Sequence, residues 1–427
     1  MRKRIIRTAA AVIGLAGLVA VAGGCAANPS NGVTTLDFFQ FKGEALEDFA
    51  EIIDAFEAEN PDIRVVQNQV ADSETLIRTL LVKDRTPDVI TLNANGNFGK
   101  LAEAGVFYDF SDEPVLDTIN PGVQEILAQL GTAPGEVNSL GYVNNANGII
   151  YNRAIFQEQG LDVPETWDEL IALCETLVER GITPFATSLA ENWTAMPSWN
   201  GIGAYYSQDG FFDEMRAEGE DVGADAQVSF EKDFPEAMAR QAELFQYSQD
   251  GYRGASYDDS TSLFAQGGAA MMLQGIWALS PVKAVNPDIE AAIFPYPVPE
   301  DPADRMLVSG VDVTVTMARD TPHREEALRF IEYLFRPDVI ERFAASQTMV
   351  PSVIGAELSD DPALQSIAPY FDEGKITGFI DHQVPTAIPL TGIVQQFLYD
   401  DDASGALRTL DNEWRKVAAR TITPTED

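Results

Sequence analysis

The sequence is short of basic residues, cysteine and histidine, and each shortage excludes a class of function. Among its 427 residues, 28 Lys and Arg stand against 67 Asp and Glu, a formal net charge of -39. Such a surface repels phosphate backbones and anionic headgroups, which argues against a nucleic-acid partner. The two cysteines, Cys25 and Cys174, are too far apart in sequence for a C-x-x-C motif, and two histidines are too few for a multi-histidine zinc site. We therefore expect neither a metal nor a cofactor.

Long apolar runs are also absent, except at the N-terminus. A basic segment, residues 1–7, precedes an uncharged apolar run that ends in small residues before Cys25. This pattern predicts a secretory signal peptide over residues 1–24. The stretch ending in Gly23-Gly24-Cys25 resembles a bacterial lipobox, which implies that Cys25 is acylated. Residues 25–32 would then be the anchor and a flexible tether.

The alternative is cleavage after Ala22, because Ala20-Val21-Ala22 is itself an A-x-A site. With acylation, we expect the protein at the extracytoplasmic face of the cell membrane, tethered by lipid rather than embedded.

From residue 33 the chain alternates short apolar strands with longer amphipathic helices, which predicts an α/β fold. The ligand crevices of such sheets open at the carboxyl ends of the strands. The predicted strands are 33–39, 63–66 and 88–92, and the predicted helices are 44–59, 73–83, 166–180, 234–247, 325–335, 337–345 and 403–419. Cys174, Trp167 and Trp414 fall in helical patterns, where burial is the ordinary interpretation.

Polar residues at the predicted strand ends are the first binding candidates. Lys42 follows the first strand, and Asn93 and Asn95 follow the third. Asp312 lies between two valines, and a buried acid requires partners. Asn and Asp are also ordinary turn residues, so a purely structural role remains open for each.

The order of motifs resembles the extracellular solute-binding proteins that deliver sugars to ABC importers. The resemblance spans essentially the whole mature chain, and no single motif decides it. The motifs are Ala58-Glu59-Asn60-Pro61, Thr86-Pro87-Asp88-Val89, Leu101-Ala102-Glu103-Ala104-Gly105, Ile150-Tyr151-Asn152-Arg153, the segment 160–167, Phe264-Ala265-Gln266-Gly267-Gly268 with Gly275-Ile276-Trp277, the segment 326–334, and Val350-Pro351-Ser352.

This resemblance implies a two-lobed periplasmic-binding-protein-like fold with several hinge crossings and a sugar cleft between the lobes. By analogy, residues 33–144 and 300–345 form lobe 1, and residues 145–299 and 346–427 form lobe 2. The implied partners are an oligosaccharide and the permease subunits of the importer. The protein would not be an enzyme.

The resemblance also adds candidates from the second lobe. Trp277 occupies the motif in which the family turns a tryptophan into the cleft. Trp193 and Trp199 lie in a predicted loop, rich in Pro, Ser and Asn, at the mouth of the second lobe. Phe379, Asp381 and His382 stand together near the end of the chain, as in receptors for raffinose or isomaltose. We expect these aromatic, acidic and imidazole groups to contact one terminal sugar unit.

Two rival functions stay open at this point. A secreted glycoside hydrolase needs only two carboxylates, which counting cannot exclude among 67 acids. No G-x-S-x-G elbow occurs in the sequence. A receptor for amino acids, peptides or metal chelates needs a charged clamp, whereas the candidates above are mostly amides and aromatics.

Overall fold

The structure is a computed structural model that describes residues 32–69, 76–77, 79–80 and 85–419. The predicted signal peptide and Cys25 lie outside the described residues. So does the predicted helix 73–83, apart from residues 76–77 and 79–80, which are helical. No helix within the described ranges has the length and apolar character needed to span a membrane.

Ten strands in these ranges form one continuous sheet, and both parallel and antiparallel pairs occur in it. Its main path is β2-β1-β3-β8-β4-β6-β5, with β7 and β9 paired to β4 and β10 paired to β8. The strands are β1 (Thr34–Gln40), β2 (Ile63–Gln69), β3 (Val89–Leu92), β4 (Leu140–Asn152), β5 (Phe185–Ala186), β6 (Met271–Gly275), β7 (Ala291–Phe294), β8 (Leu307–Met317), β9 (Val350–Pro351) and β10 (Ile376–Thr377).

Helices cover the sheet, and the sequence signals explain where they begin. Thr166 caps its helix by accepting a hydrogen bond from the Glu169 N–H at 3.3 Å. Proline opens several others, where its missing N–H costs nothing. The α-helices are Leu46–Glu59, Gly96–Glu103, Pro121–Leu130, Arg153–Gln159, Trp167–Glu179, Met196–Gly203, Phe211–Glu218, Phe230–Asp233, Pro235–Phe245, Tyr257–Ala265, Leu279–Val285, Arg324–Leu334, Pro337–Gln347, Pro362–Asp372, Leu390–Asp400 and Ala403–Ala418. The predicted α/β fold is confirmed.

Two long strands join the halves of the sheet. β4 has 13 residues and β8 has 11, and they pair antiparallel from Leu140↔Val315 to Asn147↔Val308. The first part of β4 also pairs with β9, and its last part pairs with β6 and β7. Because β4 and β8 belong to both halves, any movement of one half against the other must pass through them.

Two separate hydrophobic cores flank these strands. The first lies around β1 and β3 and contains Phe38, Phe49 and Phe330. The second contains Phe230, Phe234 and the predicted packing residues Trp167 and Trp414. Cys174 is also buried in the second core, where burial raises the pKa of its thiol. The fold is therefore two-lobed, as predicted.

The two cores do not follow the predicted lobe boundaries everywhere. Ala363, Leu364 and Ile367 pack into the first core, although residues 346–427 were expected in lobe 2. Phe264 and Leu279 also pack there. Helix Pro362–Asp372 contacts β7, which pairs with β4, so this segment lies beside one of the strands that join the lobes. The boundaries themselves stay a prediction.

Candidate functional site

A cavity of about 800 Å³ opens between the two cores. This volume is within the usual range of small-molecule sites, roughly 300–1,000 Å³. Residues from both lobes line it. Of the predicted binding residues, the structure brings together Lys42, Asn93, Asn95, Trp193, Trp277, Asp312, Phe379, Asp381 and His382 at this cavity. We call the side built from β1, β3, β4 and β8 the charged wall, and the side around Trp277 and Phe379 the aromatic wall.

The charged wall centres on a buried lysine. Lys42, which is 4% exposed, places its Nζ 2.9 Å from Asp312 Oδ2 and 2.9 Å from Glu44 Oε1. Burial alone would lower the pKa of Lys42, but the charges and hydrogen bonds of Asp312 and Glu44 outweigh it and raise that pKa above its ordinary value. The lysine is therefore held in its charged form.

Amides complete this wall. Asn145 Nδ2 donates to Asp312 Oδ1 at 3.2 Å, and the Gly310 N–H donates to Asn145 Oδ1 at 3.1 Å. Asn93 Nδ2 donates to the Asp312 carbonyl at 3.0 Å. Both carboxylate oxygens of Asp312 thus have partners, so the acid predicted from its place between valines is satisfied within the protein. Asn95 uses its Oδ1 to cap the helix Gly96–Glu103.

The aromatic wall depends on two close glycines. A Cβ at Gly275 would lie 2.0 Å from Trp277 Cζ3, and a Cβ at Gly310 would lie 2.9 Å from Phe379 Cδ2. Trp277 also donates from Nε1 to Gln274 Oε1 at 3.0 Å. The centroids of the Trp277 and Phe379 rings are 6.3 Å apart, tilted by 47°. Glycine at both positions therefore allows the two rings to form one side of the cavity.

Asp381 differs from Asp312 because one of its carboxylate oxygens is unpaired. Asp381 Oδ1 is buried and has no hydrogen-bond partner among the described residues. The nearest cationic candidate, His382 Nε2, is 3.8 Å away. A buried acceptor without a partner costs free energy, so this oxygen is placed to accept a hydrogen bond from a ligand.

The two remaining tryptophans have different positions. Trp193 is 38% exposed at the cavity and packs edge-on against Tyr257, with ring centroids 4.8 Å apart. The prediction for Trp199 was wrong, because this residue is 2% exposed and stacks on Phe234 in the second core. It belongs to helix Met196–Gly203, not a loop. Met196 and Asn200 face the cavity one turn apart, which turns Trp199 away from it.

Several lining residues were missed from the sequence, among them Glu44, Asn145, Asn200 and Thr386. Asn145 had a usable signal, since a run of amides inside an apolar strand must find buried partners. Thr386 had none. Its Oγ1 accepts a hydrogen bond from Lys100 Nζ across the cleft, and a Cβ on Gly96 would lie 2.8 Å from its Cγ2. The lobes therefore touch at the mouth of the cavity.

The charge at the cavity indicates what it can bind. Among the described lining residues, Lys42 is the one Lys or Arg, and three carboxylates face the same space: Glu44, Asp312 and Asp381. An anionic ligand would meet a net negative field. No group of three or more His, Cys, Asp or Glu in the described part of the chain has the arrangement of a metal site. The arrangement suits uncharged hydroxyls and an apolar ring face.

Comparison with known proteins gives a consistent result. The sequence profile of the bacterial extracellular solute-binding proteins matches residues 43–341. The multiple sugar-binding protein of Streptococcus mutans is 29% identical over 321 residues, covering 72% of this chain and 73% of that protein. The melibiose/raffinose/stachyose-binding protein MelE of Bacillus subtilis is 24% identical over 387 residues, covering 87% and 86%. Among solved structures, RafE in complex with raffinose superposes with a TM-score of 0.77 at 22% identity, covering 90% of this chain and 100% of that one.

Proposed function

The chain belongs to the bacterial extracellular solute-binding protein family, and from this premise we propose that it is the sugar receptor of an ABC importer. It captures a neutral oligosaccharide in the cleft and delivers it to a membrane permease. The observation that carries this proposal is the aromatic wall, where the Trp277 and Phe379 rings lie beside the unpaired Asp381 Oδ1. A sugar presents an apolar C–H face and hydroxyl donors, which match those two features.

The relatives support a sugar as the ligand. One is named for several sugars, another for melibiose, raffinose and stachyose, and a solved structure of the same fold contains raffinose. These names favour a small α-linked oligosaccharide of the raffinose type. The net negative lining of the cavity agrees with a neutral ligand.

The proposed contacts account for a useful affinity. Asp381 would accept from two neighbouring hydroxyls, at roughly 1.5–3 kcal/mol for charge-assisted bonds. His382, Asn93, Asn95 and Lys42 would add further hydrogen bonds, and Trp277, Phe379 and Trp193 would offer ring faces. After the cost of ordering the sugar and these side chains is subtracted, such a set of contacts supports micromolar binding, about 8 kcal/mol. Asp312 would act mainly by keeping Lys42 charged and in place.

The chain is not expected to alter its ligand. These relatives are binding proteins, and the acids Asp312 and Asp381 differ from a hydrolase pair because Asp312 is already engaged by Lys42 and Asn145. Prolonged incubation with raffinose, followed by chromatography of the sugar, checks this. Release of monosaccharide that a single carboxylate substitution abolishes would favour the hydrolase.

The proposal is tested by a thermal-shift screen of neutral sugars, uronic acids and amino acids. A ligand that binds the folded state alone raises the melting temperature. We expect raffinose, stachyose or melibiose to raise it and charged ligands to leave it unchanged. A shift with amino acids, and none with any sugar, would contradict the proposal.

Lipid anchoring is a separate part of the proposal. Cys25 follows small residues at the end of the predicted signal peptide. We expect the protein to incorporate radioactive palmitate in a bacterium with intact lipoprotein processing, and a Cys25→Ser variant to lose both label and membrane association. A variant that stays equally membrane-bound would contradict the anchor but not the sugar receptor.

A further inference from the structure

Asn200 lies behind the loop that carries Phe379, Asp381 and His382. It is 2% exposed and belongs to helix Met196–Gly203. Its Oδ1 accepts a hydrogen bond from the Asp381 backbone N–H at 3.0 Å. Because a backbone N–H can only donate, the atom facing Asp381 must be the amide oxygen. The side chain is thereby fixed in one orientation beside the cavity.

The same helix holds the loop at a second point. Ile380 is buried in the second core, and a Cβ on Gly203 would lie 2.5 Å from Ile380 Cδ1. The loop residue between Phe379 and Asp381 therefore seats directly on the helix backbone. The absence of a side chain at Gly203 allows Ile380 to lie close to the helix. Asn200 fixes the direction of the following peptide N–H, that of Asp381.

The helix is in turn tied to the strands that join the lobes. Asn147 of β4 donates from Nδ2 to the Pro197 carbonyl at 2.7 Å. Two residues earlier in β4, Asn145 contacts Asp312 of the charged wall. One strand thus positions both the charged wall and, through helix Met196–Gly203, the loop of the aromatic wall.

We propose that Asn200 is a positioning residue that sets the place of the Asp381 carboxylate and so determines how strictly the cleft selects sugar hydroxyls. This inference rests on the proposed function. Without the Asn200 acceptor, the Asp381 N–H loses its partner and the loop is free to shift. A shift of the loop would misplace Asp381 Oδ1, the unpaired acceptor of the cavity.

A double-mutant cycle with raffinose tests the proposal. Asn200→Leu keeps a similar volume and removes the acceptor, and we expect it to weaken raffinose binding about tenfold. In an Asp381→Ala background the same substitution should weaken binding less than about twofold, because the carboxylate it positions is gone. Equal losses in both backgrounds would overturn the inference, since they indicate a direct contact or a general structural effect.

The matched control is Asn138→Leu, which removes another buried amide that contacts Thr132 and Ala133 away from the cavity. It should lower the melting temperature without changing the raffinose affinity. If Asn200→Leu does not fold, Asn200→Ser serves the same purpose, because its hydroxyl is too short to reach the Asp381 N–H. Weakening of raffinose binding by Asn138→Leu to the same extent as by Asn200→Leu would also overturn the inference.

A readout without ligand separates this inference from the proposed function. Hydrogen exchange measured on a peptide containing residues 379–384 should be faster in Asn200→Leu than in the parent and unchanged in Asn138→Leu. Unchanged exchange in Asn200→Leu would overturn the inference even if raffinose binds. Failure of the parent to bind any neutral sugar of the screen would instead overturn the proposed function, and the role of Asn200 in sugar binding with it.

Discussion

The two walls of the cleft use acidic residues in opposite ways. On the charged wall, Asp312 gives one oxygen to Lys42 and the other to Asn145, so nothing is left over. On the aromatic wall, Asp381 keeps a buried oxygen without a partner beside the rings of Phe379 and Trp277. A carboxylate at a cavity is therefore not by itself a binding group. What its oxygens already contact decides whether it maintains the fold or is available to a ligand.

The largest expected effect is on stability, at the charged wall. Asp312→Asn removes the buried counter-ion of Lys42, and we expect the free energy of unfolding to fall by about 3–5 kcal/mol. Chemical denaturation measures this. Asp62→Ala is the control, because Asp62 pairs with Arg329 at the surface and its loss should leave the denaturation midpoint close to that of the parent.

The same variant also tests whether the acids of the two walls have different roles. If Asp312→Asn unfolds like the parent but loses ligand affinity, Asp312 contacts the ligand and the two walls act alike. Adding Lys42→Met sharpens the test. The double variant should recover part of the lost stability, because it removes a buried lysine that the partly exposed Glu44 would otherwise have to neutralise alone.

The next effect is on affinity, at the aromatic wall. Asp381→Ala should cost about 2–3 kcal/mol of raffinose binding, a factor of a few tens to a hundred, because a charge-assisted hydrogen bond is lost. The melting temperature without ligand should barely change, since no protein group bonds to Asp381 Oδ1 in the described structure. Isothermal titration calorimetry measures the affinity.

An exposed acid provides the control for that variant. Asp338→Ala removes a surface carboxylate that pairs with Arg336 away from the cavity, and it should bind raffinose like the parent. Wild-type affinity in both Asp381→Ala and His382→Ala would remove this loop from the binding site.

A smaller loss is expected from the ring beside Asp381. Trp277→Ala should weaken raffinose binding by about 1–3 kcal/mol, because the sugar loses one apolar face. Trp199→Ala is the matched truncation in the second core. It should lower the free energy of unfolding more than Trp277→Ala does, because it leaves a cavity among packed rings. If Trp277→Ala binds raffinose like the parent but has a lower free energy of unfolding, Trp277 is a core-packing residue like Trp199 and does not contact the sugar.

The smallest effect concerns salt. Because Asp312 and Glu44 neutralise Lys42, we expect the charge of Lys42 to contribute little to ligand affinity. The affinity for raffinose should change by less than about twofold between about 0.05 and 0.5 M salt, a range in which the Debye length shortens severalfold. A steep loss of raffinose affinity with salt, measured by calorimetry, would instead indicate that the charge of Lys42 contributes to sugar binding.

The sequence predicts the α/β fold because its signals are local or periodic. Apolar faces at helical spacing predict six of the described helices nearly to their ends, among them Leu46–Glu59 and Trp167–Glu179. Other helices, such as Met196–Gly203 and Pro362–Asp372, were not predicted. The strand-end rule brought Lys42 and Asn93 to the cavity, because carboxyl ends of neighbouring strands lie at one edge of a sheet. Asp312 was singled out by the cost of burying an acid between valines.

The errors and omissions came from features that no local pattern encodes. Pro197, Ser198 and Asn200 are typical of a loop, so the segment around Trp199 was predicted to be one. The segment is helical, and its helical geometry directs the Trp199 ring into the second core. Asn200 could not be predicted, because its hydrogen bond is to Asp381, which is 181 residues away in sequence. The lobe boundaries stay a prediction, and helix Pro362–Asp372 packs in the first core although residues 346–427 were predicted in lobe 2.

In the proposed function, the aromatic wall binds a neutral oligosaccharide while the charged wall keeps its own hydrogen bonds. A crystal structure of the protein with raffinose tests this difference between the walls. We expect one sugar in the cavity, with a ring face on Trp277 or Phe379, hydroxyls donating to Asp381 Oδ1, and the Lys42–Asp312 pair unbroken. A ligand carboxylate or phosphate seated on Lys42, or raffinose bound outside the cleft, would contradict it.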